Sequence, residues 1–216
     1  MARRSDDLRP PLVSAPDLPE HLDIAQPRRN ADLIASRIQL DGDADLAHST
    51  LEQCVLTGTA DTLDLRGATL MDVVLQELRI ADLPARSANL RRVRISGGRI
   101  GTLDLSDARI GELELHGVRV DYLTLAAAQV RDVRIDSCQI TALDLPGATL
   151  TRLAFTDTRS DEVDTRGLRA EHVDLRGLDA LSFLDVASLR GTTLTYRQAE
   201  LLAPAFAASA GIDLRD

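Results

Sequence analysis

From Leu63 to Ser182 the chain repeats every five residues: 22 of 24 consecutive pentads carry an apolar residue at the centre, and 22 carry one two places earlier. The residue between these two is apolar in only two pentads. A helix needs apolar residues at a period of about 3.6 and a long strand at a period of about 2, so a period of five fits neither. The chain must therefore turn a corner in every pentad and wind as a solenoid. Two apolar side chains flanking a polar one make three residues of strand that point in, out and in. The last two letters are mostly Gly, Asp, Ser, Arg or Thr and supply the corner.

The number of pentads in one turn follows from which side chains recur, because the innermost groups of successive coils stack on one another. Ala68, Ala88, Ala108, Ala128 and Ala148 form one series, and Leu63, Leu83, Leu103, Leu123 and Leu143 form another. The true period is thus four pentads, and the coil is a square. At a strand spacing of roughly 4.8 Å, six coils from residue 63 to 182 and one upstream predict a rod of about 30 to 35 Å.

The segment Ala44-Asp45-Leu46-Ala47-His48 and the triplet Ala88-Asn89-Leu90 resemble the repeat unit of pentapeptide repeat proteins: Ala, then Asp or Asn, then Leu and two variable residues. The repeats are degenerate and resemble the actinobacterial type of that family. Leu or Val replaces the small first residue on two of the four faces, and Thr or Arg often replaces the Asp or Asn. The resemblance implies an all-β solenoid, a right-handed quadrilateral β-helix of about seven coils over residues 38–186. Residues 1–37 are then a proline-rich arm and lead-in, and residues 187–216 hold capping helices. Hexapeptide-repeat acyltransferases need a period of six. Leucine-rich repeats need an asymmetric unit with an Asn ladder, which this chain lacks.

Aromatic residues make up 2% of the chain, so Leu, Ile, Val and Ala fill an interior too narrow for rings. All 25 basic residues are Arg, a bias attributed to a GC-rich genome before any function. Cys54 and Cys138 occupy first-letter inward positions and read as small buried hydrophobes in a reducing cytoplasm. They lie four coils apart, too far for a disulfide.

The stretch from Met1 to Asn30 carries five of the eight prolines, charges throughout and no apolar run. It reads as an extended arm along the first coil, not a targeting segment, and no stretch reaches the ~20 apolar residues of a membrane span. Residues 31–40 read as an opening strand or a short helical turn. Ala44, Ser49 and Cys54 are inward in a frame one residue out of step with Leu63, which predicts a bulge near Thr57–Thr62. At the other end Thr195 and Gln198 form a capping box. Pro204 is expected to divide the downstream segment into two short helices, 196–202 and 204–210, ended by Gly211. Leu201, Leu202, Phe206 and Ile212 would cover the last coil, or this end would serve as a homodimer seam.

Catalytic chemistry is hard to place. His21, His48, His116 and His172 share no metal-ligand spacing, and Gly97-Gly98 is a corner followed by an inward glycine, not a phosphate loop. The Asp157–Asp161 stretch has triad-like residue types but no cleft to hold a triad. No cofactor, metal or catalytic residue is assigned.

The outward charges are more informative. Asp64, Asp104, Asp144 and Asp164 stand in one column on the first face, and Arg79, Arg99, Arg119 and Arg159 in one on the fourth. Arg99 with Asp104, and Arg159 with Asp164, are expected to pair across a shared corner. The four aspartates are the candidate partner-binding residues. The chain therefore reads as a non-enzymatic cytoplasmic scaffold or interaction module of unknown protein partner. The resemblance supplies an alternative, since some family members mimic B-DNA and modulate DNA gyrase, giving quinolone protection. The net charge of −9 splits into about −4 for residues 1–60, −5 for 61–186 and zero beyond. That field is weak for a DNA mimic, yet it repels phosphate, so direct nucleic-acid binding is not expected.

Overall fold

The computed structural model describes residues 8–215. Nineteen strands among them pair side by side into one continuous parallel sheet wound as a solenoid. Thr69 pairs with Asn89, Gln129 with Thr149 and Leu103 with Leu123, each partner four pentads on. This is the square coil of the pentapeptide-repeat fold. The Ala68 and Leu63 series are buried throughout and stack along the axis.

One inner column counts the coils. Ala31, Ser49, Ala68, Ala88, Ala108, Ala128 and Ala148 each accept through their carbonyl from an amide in the next coil, and Leu168 follows at the eighth level. The solenoid therefore has about eight turns, one more than the repeat alone predicts. The strands Asp23–Ala25, Asp32–Ile34 and Ser36–Asp41 already belong to the ladder. At roughly 4.8 Å per coil the rod is about 38 Å long.

These first coils are shorter. Arg37 pairs with Val55 and Ala44 with Leu63, respectively two positions and one position short of four pentads. The predicted slip is a register shift between Thr57 and Thr59. Gly58 sits at its centre with φ +118, where a Cβ would lie 2.1 Å from the carbonyl oxygen of Leu40. Only glycine lets the coils close up there. The Gly97-Gly98 corner has the same cause: at Gly98, with φ +78, a Cβ would meet the carbonyl oxygen of Leu78 at 2.1 Å.

Polar residues that fall on inward positions find partners. Thr158 Oγ1 donates to the Thr156 carbonyl at 2.8 Å, and Ser160 Oγ to that of Glu162 at 3.0 Å. No buried side-chain polar atom among the described residues lacks a partner. Such a wall leaves no unpaired polar group to offset its apolar burial. Cys54 and Cys138 are buried and unbridged, and burial raises both thiol pKa values.

At the C-terminal end the 3₁₀ turn Val186–Leu189 buries Val186 and Leu189, and a helix, α1, spans Tyr196–Ser209. Its capping box is formed by Thr195 and Gln198. Gln198 also donates to the carbonyls of Leu175 and Leu178 at 2.8 and 2.9 Å, which ties the helix to the last coil. The expected division at Pro204 does not occur, and one helix runs through it. Leu202 and Phe206, on either side of the proline, both pack on the core and hold the helix across the missing hydrogen bond. Leu201 and Ile212, expected in the cap, are exposed instead.

Candidate interaction surface

The first-face aspartates do share a column, but each is tied into a corner. Where the pentad ends in Asp-Leu-Arg-Gly or its like, the Asp carboxylate accepts from the amide two residues on, an Asx-type contact that fixes the turn. Asp64 accepts in this way from Arg66 at 3.0 Å, Asp104 from Ser106 at 2.9 Å and Asp164 from Arg166 at 3.0 Å. Asp144 cannot, because residue 146 is proline and has no amide hydrogen. It accepts from the Tyr122 hydroxyl at 2.5 Å instead, and this contact raises the tyrosine pKa.

Two of the four are also covered. The guanidinium groups of Arg66 and Arg166 fold back onto Asp64 and Asp164, each with Nη2 2.5 Å from a carboxylate oxygen. Asp64 and Asp164 are left 8% and 2% exposed. The arginine hydrogen bonds outweigh burial and hold both carboxyls below the usual range. This column presents arginine to solvent as much as carboxylate.

Two members of the arginine column pair along the rod, not across the corner. Arg99 reaches Asp121 at 2.8 Å, and Arg159 approaches Asp179 at 3.8 Å. The expected Arg99–Asp104 and Arg159–Asp164 pairs are replaced because a neighbouring coil lies only about 4.8 Å away, whereas the Asp side chain is committed to its own corner. The third face follows the same rule: Glu114 lies between Arg94 at 2.7 Å and Arg134 at 3.8 Å.

The second face carries an arrangement that reading the second letter of each pentad missed. Its fifth letters are Asp72, Arg92, Glu112, Asp132, Arg152 and His172. Arg92 grips Asp72 with contacts of 2.6 and 2.5 Å, and Arg152 grips Asp132 with two of 2.5 Å. At Asp72 the Arg92 hydrogen bonds outweigh burial. At Asp132 burial is the largest influence and opposes ionisation, but Arg152 and a backbone amide together overcome it, and both pKa values are lowered.

That backbone amide comes from the N-terminal arm, which crosses the coils at right angles instead of lying along the first one. The Arg9 amide donates to His172 Nδ1 at 3.4 Å, Leu12 to Asp132 at 2.8 Å, Ser14 to Glu112 at 2.8 Å and Asp17 to Asp72 at 3.0 Å. Pro11 is buried beneath it, and Val13, Pro16 and Leu18 are half-buried. The column could have been found by applying the four-pentad register to the fifth letter. The arm's path could not, because nothing periodic marks it.

Beside the arm the same face forms an open groove lined by Arg91, Arg109, Glu112, Arg131, Asp132 and Arg152, among others. No group of three or more His, Cys, Asp or Glu among the described residues is placed to hold a metal ion. No helix among them is long and apolar enough to cross a membrane.

Among solved structures the chain is similar to full-length QnrB1, a plasmid-mediated fluoroquinolone resistance protein. The match has 16% identity over 84% of this chain and 98% of that one, with a TM-score of 0.42. It is also similar to HetL, a pentapeptide repeat protein involved in heterocyst differentiation regulation from the cyanobacterium Nostoc. There the identity is 14% over 80% of this chain and 89% of that one, with a TM-score of 0.35. No family model matches the chain, and no curated protein does either. The fold rests on the chain's own coil register and parallel ladder.

Proposed function

We propose that the chain is a non-catalytic pentapeptide-repeat scaffold that binds a protein partner through the outer columns of its coils. The observation that carries this reading is the division of labour within each pentad. Apolar letters fill the interior from Ile38 to Leu189, and outward letters hold paired charges in fixed columns, a surface suited to display and not to enclosing a substrate. A photo-crosslinking residue placed at Arg94, Arg99 or Arg109 in cells tests it. The expected result is a discrete crosslinked polypeptide at one or two faces. Background labelling at all three would overturn it.

Gyrase modulation by DNA mimicry finds less support, because mimicry needs a broad negative potential. Here Arg66 and Arg166 cover the aspartates that would supply it. In a gyrase supercoiling assay with and without a fluoroquinolone, the protein is expected to neither inhibit nor protect. Protection at tens of micromolar protein would reverse this judgement.

A further inference from the structure

We infer that the second face is a docking groove for an extended, proline-containing peptide segment of a partner protein, and that the N-terminal arm is its intramolecular competitor. The arm shows which chemistry the face accepts. From Arg9 to Asp17 it advances eight residues while its acceptors descend five coils, from His172 to Asp72. Five coils span about 24 Å at the usual strand spacing. Eight residues at the ~3.1 Å rise of a proline-type extended chain span about 25 Å. The face is thus a ruler matched to an extended peptide lying along the rod.

Recognition runs through the arm's main chain. The residues whose amides are held, Arg9, Leu12, Ser14 and Asp17, are all exposed, Leu12 to 68%, and the Asp17 carboxylate adds a favourable charge interaction with Arg92. The groups facing the wall are instead Pro11, Val13, Pro16 and Leu18. A face that reads amide hydrogens and a row of apolar groups two or three residues apart accepts other sequences with those properties, as in other main-chain modes of peptide capture. The acceptors are prepared in advance: Arg92 and Arg152 hold the Asp72 and Asp132 carboxylates from the next coil, so little order is lost on binding. A tethered arm has an effective concentration in the millimolar range, which keeps these acceptors covered until a partner competes.

The inference deepens the scaffold reading and rests on it. The probe is a labelled peptide with the sequence of residues 8–19, titrated by fluorescence anisotropy into the full chain and into the full chain carrying Pro11→Asp and Val13→Asp, which loosens the arm. The loosened chain is expected to bind at least tenfold tighter than the wild type. A peptide N-methylated at the Leu12 and Ser14 amides is expected to lose that binding, whereas one with alanine at both positions keeps it. Hydrogen exchange accompanies the titration. If the loosened chain has unprotected arm amides and protected coils yet binds no peptide, the inference is overturned. It is equally overturned if the wild-type amides of Leu12, Ser14 and Asp17 exchange only when the coils themselves unfold, since such an arm could not yield to a partner. A failed titration alongside a discrete crosslink at Arg94 or Arg99 would remove the groove and leave the scaffold reading standing.

Discussion

Leu103→Ala is the sharpest test of the coil interior. Leu103 is 1% exposed and stacks between Leu83 and Leu123, which pair with it from the coils on either side. Truncation removes three buried carbons, worth about 2.4 kcal/mol at ~0.8 kcal/mol each. The hole cannot close easily, because the ladder hydrogen bonds fix the coil spacing above and below. A cavity contribution brings the expected total to about 3–5 kcal/mol. For a chain of this size each kcal/mol moves the midpoint by about 2–4 °C, so the melting curve followed by far-UV circular dichroism is expected to fall by roughly 6–20 °C. Leu181→Ala is the control: Leu181 is 79% exposed, and its loss is expected to cost less than about 0.5 kcal/mol. A Leu103→Ala melt within about 2 °C of wild type, or equal losses for the two variants, would refute the inward register.

Other perturbations probe different parts of the wall. Ala108→Phe forces a ring into a column where Ala88 and Ala128 lie directly above and below, all buried, and is expected to destabilise by roughly 1–3 kcal/mol or more; a wild-type melting curve would contradict that placement. Acid is expected to weaken the corners and the arm together. Asp64, Asp72, Asp132, Asp164 and Asp174 all have lowered folded-state pKa values, so their contribution is complete above the unfolded carboxyl pKa of about 3.9 and is lost as pH falls through the lower folded values. The melting temperature is therefore expected to be insensitive to these groups near neutrality and to fall below about pH 4; a rise on acidification would contradict the assignment.

The interior was legible in the sequence because it is periodic and local. Each inward letter meets the same letter one coil away, so the Ala68 and Leu63 series reported the coil size directly, and the missing residue near Gly58 announced itself as a broken frame. The outer pairings were less legible because spacing along the chain does not rank two competing neighbours. Asp104 follows Arg99 by a single pentad and Asp121 by more than a full coil, yet Arg99 pairs with Asp121 at 2.8 Å. Stacking brings a residue one coil on closer than one around the corner, and Asp104 is already engaged with the Ser106 amide.

Pro204 misled for a related reason. Local propensity argues for a break, but Leu202 and Phe206 are anchored on the last coil, and tertiary packing decides the outcome in a helix this short. The arm lay furthest from view, since the Leu12 amide and the Asp132 carboxylate are 120 residues apart and only one of them belongs to a repeat. A repeat exposes the contacts that its inward letters make with one another and none that it makes with anything else. The same limit applies to a partner: the part of this surface that speaks to another chain is to be sought where the repeat's outward letters already hold something non-repetitive, which is the second face.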